Sequence, residues 1–507
     1  MALQILPVWL QILLLSSVVY FYIKASTWKG RKTQLPPGPP RLPIIGNLHQ
    51  LGKIPHQSLW KLSKQYGPVM YLQLGGAPTL VVSSPEAAKH VLKVHDLNCC
   101  SRPALIGPRK LSYNCIDIAF SPFGDYWREI RKVCVLELFS PRRVDSFRSI
   151  REEEVGLMID SISRSCSSAG RSVDLSEKVQ SFTATIVYRV AFGQSFQGSK
   201  FGNRSLRQVS EDASAMLGSF CAADFFPYAG RIVDILTGLR ARLDRSFREL
   251  DGIYQKAIDE HINKEISKRG QEDIIDFLLK IGREKAESGG GHQITEDHIK
   301  AILMNIFTAG IDTSAVTVIW AMSELMRNPR TLKKAQVEVR SLIGNKGKVN
   351  EEDLQHFDYL KLVVKETLRL HPPGPLLLPR ETISPFEING YLILPKTRIY
   401  VNVWAIGRDS SVWNEPEKFV PERFEGTSID LRGQQQFELL PFGGGRRGCP
   451  GMYMGLATAN LALANLLYHF EWNLPDEMKV EDLNMEECAG LTLLKKHPLN
   501  LVPVKHY

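Results

Sequence analysis

The ten residues Phe442-Gly443-Gly444-Gly445-Arg446-Arg447-Gly448-Cys449-Pro450-Gly451 constrain the fold more than any other stretch of this 507-residue chain. Three consecutive glycines admit backbone conformations closed to other residues. They let the chain pass close to a large ligand and leave amide hydrogens free to point at a sulfur. Pro450 suits the first position of a helix, and Tyr453, Leu456 and Asn460 continue in helical spacing. The positive end of that helix's dipole then lies near Cys449, where it favours a thiolate. A free cysteine titrates at roughly pH 8.5 and needs such help, or a metal, to be ionised at neutral pH.

Composition bounds the rest. The length allows up to about three domains, but nothing in the sequence separates them. With 44% hydrophobic and 23% charged residues the chain can bury a sizeable core. The net charge is +9. Neither zinc-ligand spacing nor a basic recognition helix accompanies it, so an anionic membrane surface or an acidic protein partner accounts for it better than nucleic acid. The eight cysteines contain no C-x-x-C pair and no disulfide-like spacing, which favours a reducing compartment.

Residues 5–23 carry no charge, and nineteen helical residues span the ~30 Å of a bilayer core. Lys24, Lys29, Arg31 and Lys32 follow this run and no Lys or Arg precedes it, so the C-terminal side faces the cytosol. The features of a cleavable signal peptide are poorly matched. Leu35-Pro36-Pro37-Gly38-Pro39-Pro40 admits neither a helix nor a central strand and predicts a semi-rigid spacer. Residues 69–74 and 79–83 predict a hairpin about Gly75-Gly76-Ala77-Pro78, and Asn389-Gly390 predicts another.

Helical patterns dominate elsewhere. Trp127 and Arg131 share a face of a helix starting near Pro122. A long buried helix runs from Glu296, capped by Thr295, to about Asn328. Within it Ala309-Gly310-Ile311-Asp312-Thr313 breaks the pattern of a core helix, since a central glycine costs about 1 kcal/mol relative to alanine. Glu366 and Arg369 lie one turn apart, a pair that would contribute only ~0.2–0.5 kcal/mol on an exposed helix.

Taken together, these motifs resemble the cytochromes P450. The positions Phe442, Gly445, Arg447, Cys449 and Gly451 fill the family's Phe-x-x-Gly-x-Arg-x-Cys-x-Gly haem-ligand pattern. The resemblance implies that Cys449 ligates haem iron and that Arg447, Trp127 and Arg131 hold a propionate, with Arg102 and Arg380 as further contacts. It implies a distorted turn over the haem at Ala309 and Gly310, with Thr313 and Asp312 passing protons to O2. Glu366, Arg369 and Arg423 correspond to the family's structural E-x-x-R lock. The exposed cluster Arg128, Lys132, Arg142 and Arg143 would help dock an acidic reductase.

The implied fold is mainly α with small β-sheets. Residues 1–23 form a transmembrane anchor, 24–40 a basic and proline-rich hinge, and 41–507 one haem-thiolate domain. The implied activity is a plant-type microsomal monooxygenase of specialised metabolism, using haem b, O2 and NADPH through a separate reductase. It would sit in the endoplasmic reticulum membrane, facing the cytosol. The expected pocket residues Leu105, Ile106, Ile116, Phe225, Ile306, Ala309, Leu376, Leu378, Leu491 and Leu493 are mostly aliphatic. That favours a terpenoid-like substrate and leaves alkaloids and phenylpropanoids open. Two other readings stand beside this one: a haem-thiolate isomerase, desaturase or coupling enzyme, and a non-catalytic haem sensor. The intact Asp312 and Thr313 argue against both.

Overall fold

The computed structural model describes residues 35–166, 172–193, 200–201, 204–263, 272–288, 292–475, 478–488 and 490–506. The apolar segment 5–23 and the basic stretch 24–34 lie outside them. The helices that position the site are α1 (Asp125–Val133), α2 (Arg148–Ser165), α3 (Leu175–Phe192), α4 (Leu206–Leu217), α5 (Leu239–Asn263), α6 (Glu296–Arg327), α7 (Pro329–Ile343), α8 (Asp358–Leu370) and α9 (Met452–His469).

α6 is the axis of the core. Thr295 caps it, its amide donating to His298 Nδ1 at 3.2 Å, and Pro329 opens the next helix, as the sequence predicts. α6 is long and apolar enough to cross a bilayer, yet 83% of its apolar window is buried, which makes it a core helix. The Phe307 ring lies 4.9 Å from Tyr188 and 5.9 Å from Phe192, both on α3. It is also 6.0 Å from Tyr254 of α5. Burying one such ring stabilises by about 1.5–3 kcal/mol. Gly310 lets α3 approach: a Cβ there would sit 3.0 Å from Val187 Cγ2. The turn at 309–313 is unbroken α-helix, so the expected distortion is not observed. Gly310 answers to helix packing instead.

A four-stranded sheet flanks the helices. It contains β1 (Val69–Leu74), β2 (Ala77–Val82), β3 (Arg380–Glu381) and β6 (Arg398–Val401), in the order β1-β2-β6-β3. β2 runs parallel to β6 and the other pairs are antiparallel. The first hairpin turns on Gly75-Gly76 alone, with Gly75 at φ +55°, two residues tighter than predicted. A separate hairpin, β4 (Phe386–Ile388) and β5 (Tyr391–Ile393), turns at Asn389 and Gly390, both left-handed.

The proline segment is not a free spacer. Tyr71 N donates to Pro37 O at 2.9 Å, and Asn47 Nδ2 to Pro39 O and Pro40 O at 3.2 Å. Gly38 permits this, because a Cβ there would lie 2.0 Å from Tyr71 O. Residues 36–40 are therefore laid along β1.

The α8 ion pair is fully buried, not an exposed helical pair. Arg369 Nε and Nη2 donate to Glu366 at 2.7 and 2.8 Å, and Arg423 Nε donates to the same carboxylate at 2.9 Å. The remaining N–H groups of Arg369 reach Gly407 O, Pro416 O and Lys418 O, so all five donors are used. The eight cysteines are free, in keeping with the absence of a disulfide pattern.

Candidate active site around Cys449

Gly443 and Gly445 are both left-handed, at φ +67° and +64°. A Cβ on Gly445 would lie 2.2 Å from Leu92 O, so only glycine fits. Cys449 N donates back to Phe442 O at 2.9 Å and closes the loop. Helix α9 begins at Met452 with Gly451 as its N-cap, so Pro450 lies ahead of the first turn and not within it. Cys449 is exposed by area, but that area opens on an interior cavity, and protein surrounds the residue on its other sides. Burial raises the thiol above its ordinary range, against the opposing pull of the Gly451 N–H and of Arg131. A thiolate there calls for positive charge beyond what the loop itself supplies. A metal cation would supply the remaining positive charge.

Beside the cysteine, four guanidinium groups converge on the same cavity: Arg102, Arg131, Arg380 and Arg447. Arg447 donates to Cys100 O at 2.8 Å and to Ser121 O at 2.6 Å. Arg102 reaches Ala119 O, Leu378 O and Pro379 O. Arg131 donates to Gly448 O. Arg380 bonds Gly444 O at 2.9 Å and Asp96 Oδ1 at 2.6 Å, and Asp96 also takes Arg446 Nη1 at 2.9 Å. Burial, then repulsion by Arg447 and Arg380, holds Arg102 well below the usual arginine range. Burial is also the first cause that brings Arg447 down to about 9. Asp96 and the fully buried Asp117 are the nearby acids, too few to balance this charge.

Trp127 does not face the cavity. Its indole N–H donates to Ile118 O at 2.9 Å, and its ring lies 3.9 Å under the Arg447 guanidinium. It supports the arginines by stacking. Of the basic cluster expected to face a reductase, Arg143 is turned inward, paired with Glu272 at 3.1 Å and set over Phe277. Arg128 pairs with Asp125 on the surface, and Lys132 and Arg142 are exposed.

On α6, Ile306, Ala309, Gly310 and Thr313 line the cavity. Thr313 Oγ1 donates to Ala309 O at 2.6 Å, which fixes the hydroxyl and turns its lone pairs outward. Asp312 is buried and lies off the cavity wall. Of the expected pocket residues, Leu378 and Leu491 join Ile306 and Ala309 on the wall, whereas Leu105, Ile106, Ile116, Phe225, Leu376 and Leu493 do not. Leu377 explains part of this. Its left-handed φ of +53° reverses the chain, so Leu377 and Leu378 line the cavity while Leu376 packs with Phe225 on the β1–β2 cluster. Leu493 is core, its carbonyl accepting from Trp320 Nε1 at 2.8 Å.

Over residues 36–502 the sequence matches the family model for Cytochrome P450. The chain belongs to the cytochrome P450 family. It is 56% identical over 471 residues to Cytochrome P450 71B37 of Arabidopsis thaliana, with 93% of each chain covered. Identity to Cytochrome P450 71B34 of the same plant is 53%, covering 98% of this chain and 99% of the relative. Among solved structures, a zebrafish cytochrome P450 determined with progesterone superposes with a TM-score of 0.76 at 26% identity, covering 89% of this chain and 99% of that one. Its fold is therefore the P450 fold, and the enzyme is an NADPH-dependent monooxygenase that uses haem b and O2.

The residues fit that cofactor. A cavity lined by the Cys449 thiol and by four partly uncompensated arginines suits a flat metal complex carrying two carboxylates. Haem bound through a cysteine thiolate activates O2 for transfer of one oxygen atom to an organic substrate. Sequence reasoning missed Asp96, which clamps Arg380 and Arg446 to the loop, and Asn305. Asn305 accepts from Ile118 N and Ala119 N and donates to Asp117 at 2.7 Å, holding the 117–120 segment over α6. No local motif marks either residue, because each acts across more than 180 positions of chain.

Proposed function

We propose that this P450 inserts one oxygen atom into an apolar, terpenoid-like plant metabolite, with electrons passed from NADPH by a separate reductase. The observation that carries this reading is the cavity wall above Cys449. Ile118, Phe120, Leu217, Ile306, Leu378 and Leu491 supply it, and the charged residues of the cavity are the four arginines assigned to the cofactor. Such a wall gains affinity from apolar area and offers no counter-ion to an amine or a carboxylate. In this reading Cys449 would ligate the iron and Arg102, Arg131, Arg380 and Arg447 would hold the carboxylates. Thr313, its own proton given to Ala309 O, would accept a hydrogen bond at Oγ1 and so position a proton donor in the cavity, with the neighbouring Asp312 as the source of protons.

The same reading places the body on a membrane. Tyr228, Ile232 and Leu236 are 89%, 62% and 80% exposed, and Ile44 is 78% exposed. The two patches adjoin, since Gly75 N donates to Ile45 O and Gly76 N to Phe225 O. They lie on the side where segment 36–40 enters, which suits an enzyme anchored in the endoplasmic reticulum by residues 5–23.

The test is product mass from membranes carrying this chain and a plant reductase, supplied with NADPH, heavy-isotope O2 and a panel of sesquiterpenes, diterpenes, triterpenes and alkaloids. One labelled oxygen in a terpenoid product supports the proposal. A labelled alkaloid would overturn the substrate class, and an unlabelled product would overturn the reaction type.

A further inference from the structure

The cavity wall beside the arginines includes a short strip of backbone that bonds in two directions. The peptide joining Ile118 to Ala119 donates from Ala119 N to Asn305 Oδ1 at 3.2 Å. Its carbonyl, Ile118 O, accepts from Trp127 Nε1 at 2.9 Å and from Arg447 Nη1 at 3.4 Å. The next peptide repeats the pattern. Phe120 N donates to the Asp117 carboxylate at 3.1 and 3.2 Å, while Ala119 O accepts from Arg102 Nε at 2.9 Å. A trans peptide is planar and points its N–H and C=O in opposite directions, so holding the one aims the other.

Asn305 and Asp117 hold both N–H groups, and they hold each other. Asn305 Nδ2 donates to Asp117 Oδ2 at 2.7 Å, and Asn305 Oδ1 also accepts from Ile118 N at 3.1 Å. Both side chains are buried. On the far side of the strip the arginines keep donors in reserve. Three of the five N–H groups of Arg102 go to the carbonyls of Ala119, Leu378 and Pro379, which leaves Nη2 without a partner among the described residues. Arg447 bonds Cys100 O, Ile118 O and Ser121 O once each and keeps one N–H on each terminal nitrogen.

We infer that Asn305 and Asp117 are positioning residues for the cofactor: through the 118–120 backbone they orient Arg102 and Arg447 so that these remaining donors meet the haem carboxylates. This rests on the reading of the four arginines as carboxylate holders and adds to it a device seated on α6. Arg131 and Arg380 do not depend on the strip, since Arg131 bonds Gly448 O and Arg380 bonds Gly444 O and Asp96. Loss of the Asn305–Asp117 pair should therefore disturb two arginines of the four and leave haem bound through Cys449.

The test compares full-length holoproteins in detergent at pH 7.5: parent, Asn305→Ala, Asp117→Ala, Asp117→Asn and Arg102→Gln. The carboxylate-bending band of the haem in resonance Raman spectra reports hydrogen bonding to its carboxylates, and transfer to excess apomyoglobin gives the rate of haem release. Asn305→Ala and Asp117→Ala should keep the thiolate-type ferrous–CO band and shift the carboxylate band. They should also release haem roughly two- to tenfold faster, the range of one net hydrogen bond. Asp117→Asn retains an acceptor for Phe120 N and Asn305 and should stay closer to the parent than Asp117→Ala. A merely structural role would lower thermal midpoints and leave the carboxylate band in place, which overturns the inference. A charge effect alone would move the two Asp117 variants equally and leave Asn305→Ala at the parental position, which also overturns it. So does failure of both alanine variants to hold haem, because Cys449, Arg131 and Arg380 remain. Failure of the underlying reading is separable: in that case Arg102→Gln leaves the band unmoved too, whereas an inference that fails alone has Arg102→Gln shifting it and the alanine variants not.

Discussion

Replacing Arg369 by lysine isolates what a guanidinium does that a charge alone cannot. All five N–H donors of Arg369 are engaged, two with Glu366 and three with the carbonyls of Gly407, Pro416 and Lys418. Glu366 and Lys418 O also take N–H groups of Arg423. Gly407 O and Pro416 O are served by Arg369 Nη1 alone, beyond the end of a lysine's shorter side chain, so these two acceptors lose their partner. Each unpaired buried group costs about 1–3 kcal/mol, giving about 2–6 kcal/mol in total. That is a large part of the ~5–15 kcal/mol that holds a folded protein together. The assay compares the temperature of half-maximal loss of the ferrous–CO band, and the haem-loaded fraction, in parent and Arg369→Lys. The variant should lose at least several degrees and much of its haem. Since Arg369 lies outside the cavity, an Arg369→Lys protein with parental haem content and a midpoint within a degree would refute the donor-counting argument.

Three further outcomes are expected. Cys449→Ser should abolish the thiolate-type ferrous–CO spectrum, and an unchanged band would remove Cys449 as the ligand. Thr313→Ala should retain haem and continue to consume NADPH while hydrogen peroxide replaces product; undiminished coupling would exclude Oγ1 from proton delivery. Burial pushes the Asp117 carboxyl up to about 6 from 3.8, so the folded state holds a proton that the unfolded chain has released. Stability from this group is then lost as pH rises through 6 and is constant above it. Measured at pH 7.5 and pH 5, parent thermal midpoints should gain on those of Asp117→Asn as pH falls, by the equivalent of about 1 kcal/mol. A pH-independent difference would contradict this.

What could be read from the sequence was chemistry held in short spans. The Cys449 loop, the capped helix from Glu296, the Asn389-Gly390 turn and the Glu366/Arg369 pair each declare themselves within about ten residues, because glycine, caps and one-turn spacings are local signals. The cavity wall was only partly legible. Its residues come from α1, α3, α4, α6, α8, α9, β3 and several loops far apart in sequence, and which leucine faces inward depends on a single left-handed residue at 377 that nothing in Pro372-Pro373-Gly374-Pro375-Leu376-Leu377 announces. The charge around Cys449 was legible only in part: a helix dipole can be inferred from the chain, whereas the cavity and the four arginines that surround the sulfur come from distant segments.

The turn at Leu377 also separates two kinds of change. Leu376 packs on the β1–β2 cluster, and Leu378, two positions on, packs against the helical core and lines the cavity. Substitutions at 378 can alter which molecules are accepted while the sheet keeps its packing, and substitutions at 376 do the reverse. Within three consecutive leucines the chain has thus uncoupled what it recognises from what keeps it folded, and relatives sharing this turn are free to diverge in diet without renegotiating their architecture.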